Sequence, residues 1–402
     1  MRSLVGAAAC LLAAAFSAPA SAQPKYGPGV SDSEIRVGQT QPLSGPASAY
    51  GTQGRIATAF WKMANEQGGV NGRKVAMIVL DDAYSPPKTV EQTRRLVEND
   101  QVLAVVNSVG TPTNTAVHKY MNLKKVPQLL ISTGASKWND PVNFPWTTSF
   151  YPSYEMEAQV YARYLLQNQP DAKVAILYQN DDMGKDYVRG FKAGLGDKAK
   201  TVIVAEASYE VTDPTVESQI ISLKGSGATV FFNVATPKFA AQAIRKTYDL
   251  GWKPVHLLAS VSSSIGAVLQ PVGPEKAVGL ITAMSYKTPG DPTWDNDAGM
   301  KAYLDFMKAY YPDGQPADTS NIFGYSANQL LLELLRRCGS ELTRENLMKQ
   351  ATNLSSVQMP MLLPGVTVTT TPKNFNPFRT LQLARFDGTS WKLFGSIISA
   401  AQ

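Results

Sequence analysis

The 402 residues carry 38 basic and 32 acidic side chains, a net charge of +6 that becomes +5 once Arg2 is removed with a leader. The basic residues are scattered, with no Lys/Arg run and no interleaved aromatics, which argues against a nucleic-acid partner. At 44% hydrophobic and 17% charged the chain is an ordinary globular protein, longer than one hydrophobic core usually supports, so two lobes are expected.

Residues 1–22 read as a cleaved signal peptide: Arg2 opens it, an apolar run follows from Leu4 to Phe16, and Ala20-Ser21-Ala22 offers a small-x-small cleavage site before Gln23. Export to the periplasm is the expected consequence. The run is shorter than the roughly 20 residues a bilayer span needs, and no later stretch approaches that length without charges, so the mature chain is not expected to span a membrane. Cys10 would leave with the leader. Cys338 then stands alone, which excludes an intramolecular disulfide and predicts a buried, inert thiol.

A strand is expected over residues 34–41, where Ile35, Val37 and Gln39 alternate with Arg36 and Gly38 before Pro42 and Gly45-Pro46. A helix over 50–67 follows, with Ile56, Ala59, Phe60, Met63 and Ala64 at helical spacing and Gly68-Gly69 as its stop. Strand 75–80, helix 88–99, strand 102–106, helix 113–124 and strand 128–131 extend a βαβ series. Each parallel crossover needs a helix, so the series implies a parallel sheet covered on both faces, with ligands beyond the carboxyl ends of its strands.

After Pro145 the alternation restarts, with helices at 153–166, 185–195, 216–223 and 239–250 between strands at 174–178, 202–205, 230–233 and 255–259. The tail supplies helices at 298–310, 322–337 and 342–351, then two antiparallel strands at 381–386 and 391–397 turned by Asp387-Gly388. The fold class is therefore α/β, as two doubly wound three-layer lobes. Without a Gly/Ser linker or a fixed-period repeat between them, the lobes should be joined by short crossing segments that act as a hinge.

Neither G-x-G-x-x-G nor G-x-x-x-x-G-K-[ST] occurs, so no nucleotide cofactor is implied. His118 and His256 are the only histidines, too few for a zinc site of the usual kind, and both read as surface or capping residues. G-x-S-x-G is absent, no nucleophile, base and cofactor come together, and an enzyme is not expected. Asp81-Asp82, at a strand end, reads as a turn-capping pair.

Two polar turns carry most of the chemistry: Ser108-Val109-Gly110-Thr111-Pro112-Thr113-Asn114 and Ser132-Thr133-Gly134-Ala135-Ser136. At strand carboxyl ends, their backbone N–H groups, hydroxyls and a helix N-terminus near Thr113 suit a carboxylate. Two ordinary loops with good N-caps would present the same residues.

These turns fall within a longer set of segments: Ile35-Arg36-Val37-Gly38 with Pro42-Leu43-Ser44-Gly45-Pro46, Tyr50-Gly51, Asn65-Glu66-Gln67-Gly68-Gly69-Val70-Asn71-Gly72, and Leu80-Asp81-Asp82 with Pro86. Residues 131–136, Tyr178-Gln179-Asn180-Asp181-Asp182 with Gly184, and Gly324-Tyr325-Ser326-Ala327 continue it. In this order they resemble the type I periplasmic binding proteins of the leucine/isoleucine/valine-binding class, over essentially the whole mature chain. The resemblance implies two lobes joined by three crossings, near Ser149, Tyr286 and Val366, that close on a ligand. The lobes would comprise residues 31–149 plus 287–365 and residues 150–286 plus 366–398.

The resemblance further implies that Gly110, Thr111, Gly134 and Ser136 hold the ligand carboxylate with Val109 and Ala135 alongside, that Tyr50 adds an aromatic wall, and that Met183, Ala235, Ser260 and Ser320 line the variable half. Members that bind branched-chain amino acids place an acid after the strand that here ends near Ala259 and an aromatic near Ala235, whereas this chain has Ser260 and Ala235. Burying an ammonium without a counter-charge is costly. The expected ligand is therefore a small carboxylate without an amino group, an aromatic or aliphatic acid, delivered by a monomer to inner-membrane ABC permease subunits. A branched-chain amino-acid receptor using Asp182 or a water-mediated site, or a sensory subunit, is the alternative. Some members also tie the positions of Tyr84 and Val109 by a disulfide, and both cysteines are absent here together.

Overall fold

The computed structural model describes residues 25–399, and the expected leader over residues 1–22 lies outside the described residues. Strand β1 (Lys25–Tyr26) leads into β2 (Glu34–Gln41), whose Ile35 and Val37 are fully buried. Helix α1 (Thr52–Glu66) turns Ile56, Ala59, Phe60 and Ala64 inward. Gly68 and Gly69 end it at φ 97° and 65°, a region that disfavours any Cβ. Next come β3 (Lys74–Asp81), α2 (Pro86–Arg94), β4 (Ala104–Val106), α3 (Thr111–Leu123), β5 (Gln128–Ile131) and β6 (Thr147–Ser149). These strands form a five-stranded, wholly parallel sheet in the order β3-β2-β4-β5-β6. Every residue of β4 and β5 is buried, as a sheet covered on both faces requires.

The second sheet is built from α4 (Tyr154–Asn168), β7 (Val174–Gln179), α5 (Asp182–Leu195), α6 (Ala199–Val202), β8 (Ile203–Tyr209), α7 (Glu217–Gly225), β9 (Val230–Val234), α8 (Pro237–Asp249), β10 (Val255–Leu258), α9 (Gln270–Val272) and β11 (Ile281–Met284). The chain then passes through α10 (Ala298–Tyr310), α11 (Thr319–Arg337), β12 (Glu341–Leu342) and α12 (Arg344–Ala351) before β13 (Thr380–Phe386) and β14 (Trp391–Ser399). The seven strands run β14-β13-β11-β10-β9-β7-β8, parallel from β8 to β11 and antiparallel through β13 and β14. The result is two α/β/α lobes.

Helix α11 returns to the first lobe. Its Asn328 accepts from the Trp61 indole of α1 at 2.8 Å, and its Tyr325 ring meets Phe60 edge-on at 5.7 Å. The segments that pass between the lobes pair with each other: Leu363 donates to the Ser285 carbonyl at 2.9 Å and Lys287 to that of Met361 at 2.9 Å. In each sheet the strand order reverses once, between β2 and β4 and between β7 and β9, and the crevice at such a switch point is where open α/β sheets bind ligands.

The long elements fall where the hydrophobic pattern places them; β1, β6, β11 and β12 do not appear in it. β6 is Thr-Thr-Ser, polar by composition yet buried at all three positions, and β11 is a four-residue strand wedged where the sheet changes direction. The histidines also differ from expectation, because neither is a surface or capping residue. His118 lies on the inner side of α3, stacked on Phe144 with centroids 3.9 Å apart, and His256 lies inside β10 against Phe231 at 4.6 Å. Burial holds the two imidazoles down at about 4 and about 3. Cys338 is a buried free thiol, as expected, and burial pushes it up to about 12.

Candidate ligand-binding cleft

The loops at the carboxyl ends of both sheets converge on one cleft. From the first lobe come Tyr50 after β2, Val109, Gly110 and Thr111 after β4, and Ser132 after β5. From the second come Met183 after β7, Thr236 after β9, Ser260 and Val261 after β10, and Met284 to Tyr286 where β11 ends. Tyr151, Tyr154, Ser320 and Phe323 complete the walls. The void, mouth included, is about 740 Å³. Such a slot admits a small, slender solute.

None of the described side chains lining the cleft is charged. Its positive potential comes from the backbone. Helix α3 starts at Gly110, φ 102°, with no side chain capping it, and Pro112 removes one donor. The N–H groups of Thr111 and Thr113 have no backbone acceptor among the described residues; Thr111 lines the cleft and Thr113 is fully buried away from it, so the Thr111 amide is the one left for an anion at the helix N-terminus. The Thr111 hydroxyl pairs with Thr133 at 2.7 Å, and the Tyr50 hydroxyl crosses the cleft to donate to the Val261 carbonyl at 3.0 Å.

Seven of the eleven residues expected from sequence line this cleft: Tyr50, Val109, Gly110, Thr111, Met183, Ser260 and Ser320. The other four sit behind it. Gly134 is packed beneath the crossing, where any Cβ would strike the Pro152 carbonyl, and Ala135 is buried. Ala235 is fully buried with its carbonyl taken by Ser262, so the wall at that point is Thr236. The Ser136 N–H is already committed to the Asp186 carboxylate at 2.6 Å, which takes it away from a ligand. Asp81 and Asp82 do cap their turn: Asp81 accepts from Ser44, Ala83 and Lys88, and Asp82 from Tyr84 and Thr89.

A profile described as periplasmic binding protein matches residues 34–390. The chain belongs to this family. It is a periplasmic solute-binding protein rather than an enzyme, and no described helix is long and apolar enough to cross a membrane. The chain is similar to a Leu/Ile/Val-binding protein homolog 3 of Brucella melitensis, 24% identical over 76% of this chain and 80% of that one. Among solved structures it is similar to a branched chain amino acid ABC transporter protein of Thermus thermophilus with bound valine (TM-score 0.81, 17% identity, 92% and 98% of the two chains). It is also similar to a solute binding protein of Rhodopseudomonas palustris BisB5 in complex with 3,4-dihydroxy benzoic acid (TM-score 0.76, 18% identity, 92% and 98%).

Several parts of this periplasmic binding protein's cleft were not expected from sequence. Tyr84 lines it at φ 58°, packed with Ala47, Tyr50 and Val109 in a small apolar cluster. Apolar packing therefore joins Tyr84 and Val109, the two positions for which the resemblance implies a disulfide in some members. Gln53 on α1 and Tyr286 at the end of β11 also face the cleft, and the Gln53 Oε1 and the Tyr286 hydroxyl are buried without a hydrogen-bond partner among the described residues. Behind Ser260 lies a carboxylate, Glu157, fully buried at the start of α4. Burial pushes its pKa up, while hydrogen bonds from Ser260, Tyr161 and Tyr187 pull it back.

Proposed function

We propose that the cleft captures a small organic acid without an amino group, and that the lobes swing shut on it about the paired crossings at 285–287 and 361–363 and present it, as a monomer, to the membrane subunits of an ABC importer. One observation carries the reading: the described lining holds no charged side chain, while Thr111 offers an amide with no partner among the described residues at a helix N-terminus. A carboxylate gains from that amide, whereas an ammonium in the same slot finds no direct counter-charge. The two lobes of this reading comprise residues 31–149 plus 287–365 and residues 150–286 plus 366–398.

Thermal-shift screening tests it, with benzoate, hydroxybenzoates, branched aliphatic acids, leucine and valine as probes. Stabilisation by one of the amino-free acids is expected, by about 2.7 kcal/mol at a hundredfold excess over Kd. Stabilisation by leucine or valine alone defeats the proposal. That second reading, a branched-chain amino-acid receptor, is favoured by the names of the relatives and by Glu157 behind Ser260.

A further inference from the structure

The hydrogen bonds around Glu157 run in one direction. Its Oε1 accepts from the Ser260 N–H at 2.7 Å and the Tyr161 hydroxyl at 2.8 Å, and its Oε2 from the Ser260 hydroxyl at 2.6 Å and the Tyr187 hydroxyl at 2.8 Å. Oε2 thus receives two donors and Oε1 the Ser260 N–H, with the one hydrogen of Tyr161 shared between Oε1 and the Leu258 carbonyl at 2.9 Å, so the carboxylate's hydrogen bonds are made inside the protein and not to the cleft. The Ser260 hydrogen is fixed on Glu157. The Tyr151 hydroxyl, 3.1 Å from Ser260 Oγ, must then donate to it, and what Ser260 and Tyr151 leave facing the cleft is oxygen lone pairs. This wall accepts hydrogen bonds.

Beside it stands a donor. The Tyr286 hydroxyl is buried and unpartnered, and its ring lies 6.0 Å from Phe323, which in turn lies 5.2 Å from Tyr151. Gln53 of α1, packed against Gly324 of α11, adds an amide oxygen with no partner among the described residues. A buried polar group without a partner is destabilising in the empty protein, so a solute that satisfies these groups gains affinity. An ammonium cannot, because it has three donors and no acceptor for the Tyr286 hydrogen; a second carboxylate cannot, because it offers only acceptors to the Ser260 and Tyr151 oxygens. A hydroxyl has both.

We infer that this wall recognises a neutral hydroxyl on the ligand, with Ser260 and Tyr151 accepting its hydrogen and Tyr286 donating to its oxygen, so that the solute is a hydroxy acid. The inference rests on the acid reading above and narrows it.

Calorimetric titration of matched pairs tests it: benzoate against 3- and 4-hydroxybenzoate, 3-methylbutanoate against 2-hydroxy-3-methylbutanoate, with valine as the amino counterpart. At least one hydroxylated acid should bind about tenfold or more tighter than its plain partner. Tyr286→Phe, which keeps the ring and removes the donor, should narrow that ratio to about threefold or less. Ser260→Ala should narrow it too, with a melting curve to verify folding. Equal binding of hydroxylated and plain acids overturns the inference and leaves the acid reading standing. A preference that survives intact in Tyr286→Phe overturns the assignment to this wall. Binding of valine alone, or of no acid in the panel, removes the acid reading and the inference with it.

Discussion

The Ser136 backbone N–H donates to Oδ2 of Asp186 at 2.6 Å, joining the turn after β5 in the first lobe to helix α5 in the second. Arg189, paired to the other oxygen of Asp186, also reaches the Ser136 hydroxyl at 3.0 Å, and Lys137 pairs with Asp182 at 2.9 Å beside them. These contacts exist only while the lobes are together. Outside the cleft they would serve as a latch in the proposed closure, and hydrogen bonds to a charged group are the stronger kind. Asp186→Asn should weaken binding of the acid that the thermal-shift panel identifies by about tenfold, on the order of 1–2 kcal/mol. It should also raise the radius of gyration of the ligand-free protein in X-ray scattering. An unchanged scattering profile and an unchanged Kd would show that the latch contributes nothing to closure.

Gly110 starts helix α3 at φ 102°, and a Cβ there would run into the Tyr84 ring and lie 2.7 Å from the Thr113 hydroxyl. Gly110→Ala therefore strains the turn and displaces Tyr84, a cleft residue. A loss of about 1–2 kcal/mol of stability is expected in urea melts. Affinity should drop by more than about tenfold, because the amide of Thr111 moves with the turn. A variant that loses stability but keeps its affinity would locate the anion seat elsewhere.

Much of the architecture is legible because buried parallel strands leave apolar runs between amphipathic helices, so β2, β5, β7 and β9 show themselves with their crossovers. β11 does not, because a strand of four residues at the change from parallel to antiparallel has no period of its own. The same limit holds in the cleft. Gly110 and Thr111 stand out as small polar residues at a strand end. Gln53, inside a helix, looks like any solvated residue, and Glu157 beside Glu155 looks like a favourable charge in a first helical turn. Only the fold brings Ser260 onto Glu157 from 103 residues away. Ser136 looked available for the converse reason: the partner that occupies its N–H lies 50 residues further on.

Cys338, at the end of α11, is buried, and burial pushes its thiol up to about 12. Because the thiolate is the reactive form, the native protein should leave Cys338 unmodified by a thiol reagent such as iodoacetamide at pH 8 over hours, and unfolding in guanidinium should expose it to complete alkylation. Mass spectrometry of the peptide carrying Cys338 reads both states. Rapid native labelling would mean that this end of α11 opens far more readily than its packing implies.

His118 gives the molecule an acid-sensitive point. Its ring is sandwiched by Phe144 and the edge of Trp138, its Nε2 is buried without a partner, and burial holds it at about 4. In the unfolded chain it titrates near about 6.5, so between those values the unfolded state binds the extra proton. Its contribution is therefore complete above about pH 6.5 and declines as the pH falls toward 4, by up to about 1.4 kcal/mol per unit. His256, held at about 3 by burial, acts in the same direction and extends further down. The window from pH 6.5 to about 5 is the informative one, because it lies above the ordinary carboxylate range. His118→Phe keeps the aromatic stack and removes both the proton and the orphaned nitrogen. At pH 5 the variant should gain about 1–2 kcal/mol over the parent, relative to their difference at pH 7.5, as read from urea melts at both values. Parallel pH dependences of the two proteins would show that His118 is already accessible to protons in the native state.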